Sequence, residues 1–387
     1  MKTDNPRVLI WVTHVLGIGH FRRISALAEA LVEAGLEPLI TSGGMPVPGG
    51  ATPGVRLEQL PPVKSADDGY TNLVDESGEV ASEGLFLRRT DKLLALFRTF
   101  DPGMIVTELY PFGRRLFAQE VDALLMKAAE AARRPKIICS VRDILQPPSR
   151  PEKIAGMRRR IETFYDAILV HGDADFVKVE ESLPLMSEFA DLIRYTGYIS
   201  QAPGPDGDGG AGKNEIIVSA GGGAVGRDLL LAAAAAREIS AARGHTWRFL
   251  VGHNMIAEEA NRVRDLAGPG VIVEAARSDF ATLLKRARLS ISQAGYNTCT
   301  DVFNTMVSSV FVPFAGAGEI EQPLRARILE EKGFGISVSA SDLSPRRLAA
   351  AIDKAMMLDA GSALRPRLDG AAQAARFMAD MLEKARP

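Results

Sequence analysis

The run Thr13, His14, Val15, Leu16, Gly17, Ile18, Gly19, His20, Phe21, Arg22, Arg23 joins an apolar stretch at 8–12 to an amphipathic helical pattern. It sets a histidine between a glycine and a helix start, at the carboxyl end of a strand, where open α/β sheets place their ligands. An imidazole titrating near neutral pH can take the proton of a hydroxyl or a water as that oxygen attacks, so His20 is the candidate general base. Its plainer role is a helix-initiating residue bonded to backbone, and His14, just upstream, reads as structural. A base needs an orienting partner. Glu108, in VTELYPFGRR, is the first candidate and Asp143, in CSVRDIL, the second, because each follows a strand-like run. The glycine loop is not a dinucleotide fingerprint. Position 22 is Arg where that pattern needs a small residue, and the second strand ends in Thr41, Ser42 and Gly43 with no acid for a ribose.

Three segments of the second half suit phosphate and polyol chemistry. A strand at 215–219 runs into Gly221, Gly222, Gly223, Ala224, Val225 and Gly226 and then a long helix, so that backbone amides and a helix N-terminus can approach an anion. A strand at 289–292 ends in Gln293, Ala294, Gly295, Tyr296 and Asn297, opening a helix with Thr298, Thr300 and Asp301. Asp301 lies roughly 9 Å along that helix from Gly295, about the span from a diphosphate to its ribose. A solvated carboxylate near a helix start is the alternative for Asp301. A strand at 310–312 leads through Pro313, Phe314, Ala315, Gly316, Ala317 and Gly318 to Glu321 and Gln322, which can hydrogen-bond sugar hydroxyls or simply begin a polar helix. Asp173 and Asp175 form a D-x-D pair, a metal-binding spelling elsewhere. Here it precedes a helical segment, so N-capping explains it and no catalytic metal is expected.

The elements that must position these residues form an α/β alternation from end to end, the pattern of parallel sheets covered by helices. First-half strands are expected at 8–12, 39–41, 104–107, 137–141, 168–170 and 194–196, and second-half strands at 215–219, 247–251, 271–274, 289–292 and 310–312. The Gly/Pro-rich and then acidic stretch 43–84 reads as loops. SQAPGPDGDGGAGK, residues 200–213, lacks apolar periodicity and reads as a linker between domains 1–199 and 214–387, with a last helix at 364–384 able to pack on either. At 387 residues, 46% hydrophobic and 24% charged, the chain is long enough for two cores. A formal charge of -2 excludes a global basic field that would draw it to nucleic acid. Arg22 with Arg23, Arg88 with Arg89, Arg114 with Arg115, and Arg158 to Arg160 are read as solvated helix faces. Cys139 and Cys299 suit free thiols in a reducing compartment, and no leader or membrane-spanning run is seen, so a cytoplasmic protein is expected.

Together the segments VSAGGGAVG, SISQAGYNTCTDVF and FVPFAGAGEIEQPLRA resemble, in order and spacing, the donor half of GT-B glycosyltransferases of the MurG-like, family 28 type. The resemblance implies two doubly wound Rossmann-like domains facing across a cleft, the first taking the acceptor and the second a nucleotide-sugar. Carried onto this sequence, it puts Gly222 and Gly223 against phosphate, with Gly295, Asn297 and Thr298 holding phosphate and ribose. Asp301 would take the ribose diol and Glu321 with Gln322 the hexose. Arg277 falls where family members hold the base through backbone groups. His20 matches the family's base, in an acceptor-side loop with Gly17, Gly19 and Arg23. Asp301 stands where MurG has Glu, and Glu321-Gln322 where MurG has paired Gln, which leaves the donor sugar open. The implied activity is inverting, metal-independent transfer from a UDP-sugar to an acceptor hydroxyl, with the nucleotide-sugar a substrate and no cofactor. The implied acceptor is anionic or lipid-linked, met at a membrane surface. Gly17, Gly19, His20 and Arg23 equally fit the opening of MurG-like nucleotide-sugar hydrolases, in which the histidine activates water, and a non-catalytic nucleotide-sugar binder is the third reading.

Overall fold

The computed structural model describes all residues except 1–4, 51, 67–71, 202, 205–209, 221–225, 253–256 and 385–387. The chain divides into two compact units, Met1–Ile199 with Asp369–Pro387, and Ser200–Leu368.

In the first unit the main strands are β1 (Arg7–Val12), β2 (Glu37–Ser42), β3 (Arg56–Gln59), β6 (Met104–Glu108), β7 (Lys136–Arg142), β8 (Ala167–His171) and β9 (Ile193–Tyr195). A short antiparallel pair, β4 (Lys64–Ser65) and β5 (Leu73–Val74), lies apart. The seven-stranded sheet has the order β3-β2-β1-β6-β7-β8-β9 and all its pairs are parallel. The central strands β1, β6 and β8 are Val/Ile/Leu runs buried almost throughout, as a sheet covered on both faces demands. Helices α1 (Gly19–Glu33), α2 (Glu83–Phe100), α3 (Ala118–Ala129) and α4 (Pro151–Phe164) connect them. Strand order reverses between β1 and β6, so the loops leaving those two strands emerge side by side, the point at which doubly wound sheets bind ligands.

The second unit repeats the plan with β10 (Ile216–Ser219), β11 (Trp247–Val251), β12 (Val271–Ala275), β13 (Leu289–Ser292), β14 (Ser309–Phe311) and β15 (Gly335–Ser337). Its helices are α5 (Arg227–Arg237), α6 (Ala257–Ala267), α7 (Phe280–Arg286), α8 (Tyr296–Thr305), α9 (Glu321–Glu331) and α10 (Pro345–Ala355). The order β12-β11-β10-β13-β14-β15, again parallel, puts its switch point between β10 and β13.

Three expectations change. The stretch 43–84 is not all loop: β3 pairs with the edge of β2, and β4 with β5. The last helix, α11 (Gly370–Lys384), starts later than 364. Ala374, Ala375 and Met378 of α11 share a core with Phe21, Ile24 and Leu27 of α1, so the second unit ends at Leu368 and not at 387. Chain return at this point is tight enough to require Gly370, where a Cβ would meet the Gly197 carbonyl oxygen at 2.2 Å.

Nor do the arginine pairs all face water. Arg89 sits on the buried row of α2, between Leu85 and Leu93, with none of its side chain exposed. Its Nε and Nη2 donate to the two oxygens of Glu120 at 2.7 and 2.8 Å, and its Nη1 donates to the Gly43 and Pro61 carbonyls at 2.8 and 2.6 Å. Trp11 Nε1 donates to Glu120 at 2.9 Å, and the guanidinium lies 5.1 Å from the Phe117 ring centroid. One cation thus ties α2, α3 and the turn after β2 to β1. Removing either partner leaves the other charge buried alone, a loss of about 3–5 kcal/mol. Arg89→Met should lower the urea midpoint accordingly, and Arg89→Met with Glu120→Leu should recover part of that loss. A double variant as unstable as the sum of the two singles would refute the coupling.

Candidate active site

At the first unit's switch point His20 is the second residue of α1, and Glu108 is the last residue of β6. His20 Nδ1 lies 2.9 Å from Glu108 Oε1. Arg23, one helical turn on from His20, pairs with the same carboxylate oxygen. Ser140, register partner of Glu108 on β7, donates from Oγ to Glu108 Oε2 at 2.5 Å. Glu108 is 1% exposed, and so a buried charge met from three directions. An ionised carboxylate only accepts, which assigns the imidazole proton to Nδ1 and leaves the lone pair on Nε2. Arg142 Nη2 lies 3.3 Å from that nitrogen.

Burial above all, then the guanidiniums of Arg114, Arg142 and Arg23 and the neighbouring His14, hold the His20 pKa well below its ordinary value. The near-neutral titration expected of it is therefore displaced downward, and at neutral pH the imidazole is uncharged, the form a proton acceptor needs. Gly17 is exposed with open space where a Cβ would stand, and Gly19 is the first residue of α1. His14 is buried and packs on Phe21, ring centroids 5.8 Å apart. The Asp143 carboxylate accepts from Tyr198 Oη at 3.0 Å and from the Ile144 N–H at 3.0 Å. Asp173 does not open a helix, contrary to expectation. Its Oδ1 accepts the Asp175 N–H at 3.1 Å in a local turn.

In the second unit Gly222 and Gly223 lie outside the described residues, and α5 begins just after them at Arg227. α8 opens at N-cap Gly295, which has extended backbone and no side chain to cap the first turn. Such a start leaves N–H donors without intrahelical acceptors and carries the positive end of the helix dipole. Asn297 and Thr298 are half-buried in that turn, and Asp301 is half-buried one turn further along, at helical spacings that place all three on one side.

Arg325, wholly buried on α9, donates from Nη1 to the Ala294 carbonyl at 2.9 Å and from Nη2 to Glu321 Oε1 at 2.9 Å. Glu321 is thus 5% exposed and held in an ion pair. Gln322 Oε1 accepts the Phe314 N–H at 3.1 Å, which pins the loop after β14 and leaves the amide NH2 without a partner among the described residues. Arg277 donates to Asp279 through two bonds of 2.8 and 2.7 Å and to Glu274 at 3.3 Å.

Sequence reasoning missed Ser140, Arg142, His171 and Arg325. Ser140 and His171 are polar residues inside the apolar runs IICSVR and AILVH, and that interruption was the available signal. Arg325 was visible as an i,i+4 partner of Glu321.

Comparison with known proteins bears on both units. In solved structures the fold is that of GT-B glycosyltransferases. The glycotransferase of kitacinnamycin aligns with a TM-score of 0.65 at 17% identity over 98% of this chain and 99% of that one. MurG of Acinetobacter baumannii aligns at 0.57 and 13% identity, over 98% and 99%. Within that class, residues 221–380 match the Glycosyltransferase family 28 C-terminal domain. A Thermotoga neapolitana UDP-N-acetylglucosamine–N-acetylmuramyl-(pentapeptide) pyrophosphoryl-undecaprenol N-acetylglucosamine transferase is 28% identical over 183 residues, 47% of this chain and 50% of the relative. The chain spans about half the length of the curated relatives it matches.

His171, fully buried beneath the site, has its pKa pushed down to about 3, mainly by burial. Between pH 6.5 and 3 the unfolded chain therefore binds a proton that the folded chain refuses, so stability is lost as pH falls through this window. For one group the slope is at most about 1.4 kcal/mol per pH unit. Denaturation midpoints across pH 7 to 4 should fall less steeply in His171→Gln than in the unaltered protein, and parallel curves would contradict a neutral buried imidazole.

Proposed function

We propose that the protein is an inverting, metal-independent glycosyltransferase that moves a sugar from a nucleotide-sugar, a UDP-sugar by resemblance, onto an acceptor hydroxyl. The contact between His20 and Glu108 carries the chemical reading, and the family 28 domain match carries the donor reading. His20 Nε2 takes the acceptor's proton as its oxygen attacks the anomeric carbon. The bond from that carbon to the diphosphate breaks on the opposite face, and the configuration inverts. Glu108 holds the ring and balances the imidazolium that forms. Arg142 stands at Nε2 before the acceptor arrives, and the acceptor hydroxyl takes its place.

In the second unit the α8 start, with Asn297 and Thr298, receives the diphosphate, and its N–H groups stabilise the charge of the departing nucleotide. Asp301 takes the ribose diol. Gln322 offers its spare amide to the sugar, while Glu321 acts beside it within its ion pair with Arg325. The base lies against the backbone around Arg277. Gly222 and Gly223 complete the phosphate site, and Gly17, Gly19 and Arg23 shape the acceptor side. The Thermotoga neapolitana relative is named for a pyrophosphoryl-undecaprenol substrate, and an acceptor of that kind, anionic and lipid-linked, met at the cytoplasmic face of a membrane, is the one proposed here.

His20→Ala should lower kcat roughly 10²- to 10⁴-fold. The unaltered enzyme should keep a constant kcat/KM from pH 8 to 6.5 and lose activity only at lower pH, because the base must be neutral and its pKa lies below 6.5. Excess EDTA should change neither. An acid limb at or above pH 6.5, or a fully active His20→Ala, would count against His20 as base. Release of free sugar and UDP at the same rate with and without acceptors would favour hydrolysis.

A thermal-shift screen of UDP, GDP, CDP and dTDP sugars should give a nucleotide-dependent rise in melting temperature, strongest with UDP, that Asp301→Ala abolishes. No rise with any nucleotide would remove the donor site.

A further inference from the structure

The side-chain network does not stop at Glu108. Ser140 Oγ, having given its one proton to Glu108 Oε2, lies 3.0 Å from His171 Nε2, and His171 Nδ1 lies 2.9 Å from Thr196 Oγ1. These groups come from four neighbouring places in the sheet: the end of β6, the middle of β7, the end of β8 and the residue after β9. All are buried, at 1% for Glu108, 0% for Ser140 and His171, and 3% for Thr196. A row of polar side chains crossing beneath strand ends costs desolvation that apolar residues would avoid.

Proton counting gives the row a direction. Ser140 can only accept from His171, so His171 carries its proton on Nε2, and its Nδ1 lone pair faces the Thr196 hydroxyl, whose one proton also has the Gly197 carbonyl at 2.9 Å. The two bonds from His171 through Ser140 then both point toward Glu108, and bonds aligned in this way polarise one another. Resting on the reading of His20 as base, we propose that Ser140 and His171 are positioning residues which fix the Glu108 carboxylate and draw off part of its charge, thereby setting the proton affinity of His20.

The other charged groups around His20 are Arg23 on its own helix, Arg114 after β6, Arg142 at the end of β7 and His14 after β1, none of which bonds Ser140. His171 faces Ser140 and Thr196, and the charges of Arg23 and Glu108 act on it. Loss of the Ser140 hydroxyl therefore leaves more negative charge on the oxygen that holds His20, with the cations unchanged. The His20 proton affinity must rise.

The test uses the full chain labelled for histidine NMR, with His20 assigned through His20→Ala. Ser140→Ala should raise the His20 pKa by at least half a unit, move the acid limb of kcat/KM with it, and lower kcat about tenfold, the loss of one net hydrogen bond of about 1.4 kcal/mol. KM for the nucleotide-sugar should not change. His171→Leu should act in the same direction, and His171→Gln, which keeps a donor near the Nε2 position, should restore most of the loss. A His20 titration that stays put or falls in folded Ser140→Ala overturns the proposal, as does His171→Gln behaving like His171→Leu. Because the titration is read without turnover, an NMR shift in a protein whose turnover ignores His20→Ala would uphold the coupling and reject the base.

Discussion

Glu108 is the constraint from which the first unit's site follows. A carboxylate with 1% of its side chain exposed survives as an ion only if its lone pairs are met by donors and its charge by cations. Those partners come from different elements: His20 and Arg23 from the first turn of α1, and Ser140 from β7. The start of α1 cannot slide along β6, nor β7 change register, without stranding a buried charge. The position of the imidazole is thus set by the sheet rather than by the glycine loop that precedes it. Gly17 meets nothing within 4 Å of where a Cβ would stand, so the loop is free to follow where the helix start is held.

The same logic explains which parts of the fold could be read from the amino acids alone. Central strands are apolar on both faces and short enough to stand out, so β1, β6, β7, β8, β11 and β13 were legible. The edges were not. β3 is RLEQ and β15 is GIS, half-exposed pieces whose membership is decided by a neighbour's unpaired backbone and not by their own side chains. Helix faces misled for a related reason. Arg23 and Arg89 look like solvated charges in a local window, because their partners stand 85 and 31 residues away. Pairing of His20 with Glu108, 88 residues apart, was legible as the first of two candidates because each stands at the carboxyl end of a strand. That Ser140 and His171 extend the pair was out of reach, since a lone serine or histidine in a strand has many ordinary uses.

The second unit meets its charge problem by other means. Where the first unit gathers ionised side chains, the second presents backbone, an uncapped helix start at Gly295, and uses a buried guanidinium to hold it. Arg325 grips the Ala294 carbonyl, the residue just before the N-cap, so the direction in which the first N–H groups of α8 point is tied to α9. A bare arginine there would cost several kcal/mol in desolvation. Glu321 on the preceding turn of α9 offsets its charge. The position read from sequence as a sugar contact therefore has a prior structural duty. Any hydrogen bond that Glu321 accepts is made to a carboxylate already polarised toward Arg325, a weaker acceptor than a free one, whereas the Gln322 amide, bonded among the described residues through its oxygen, keeps its full donor strength. Of the two adjacent residues, the glutamine keeps its donors free among the described residues, and the glutamate ties α9 to the start of α8 through Arg325.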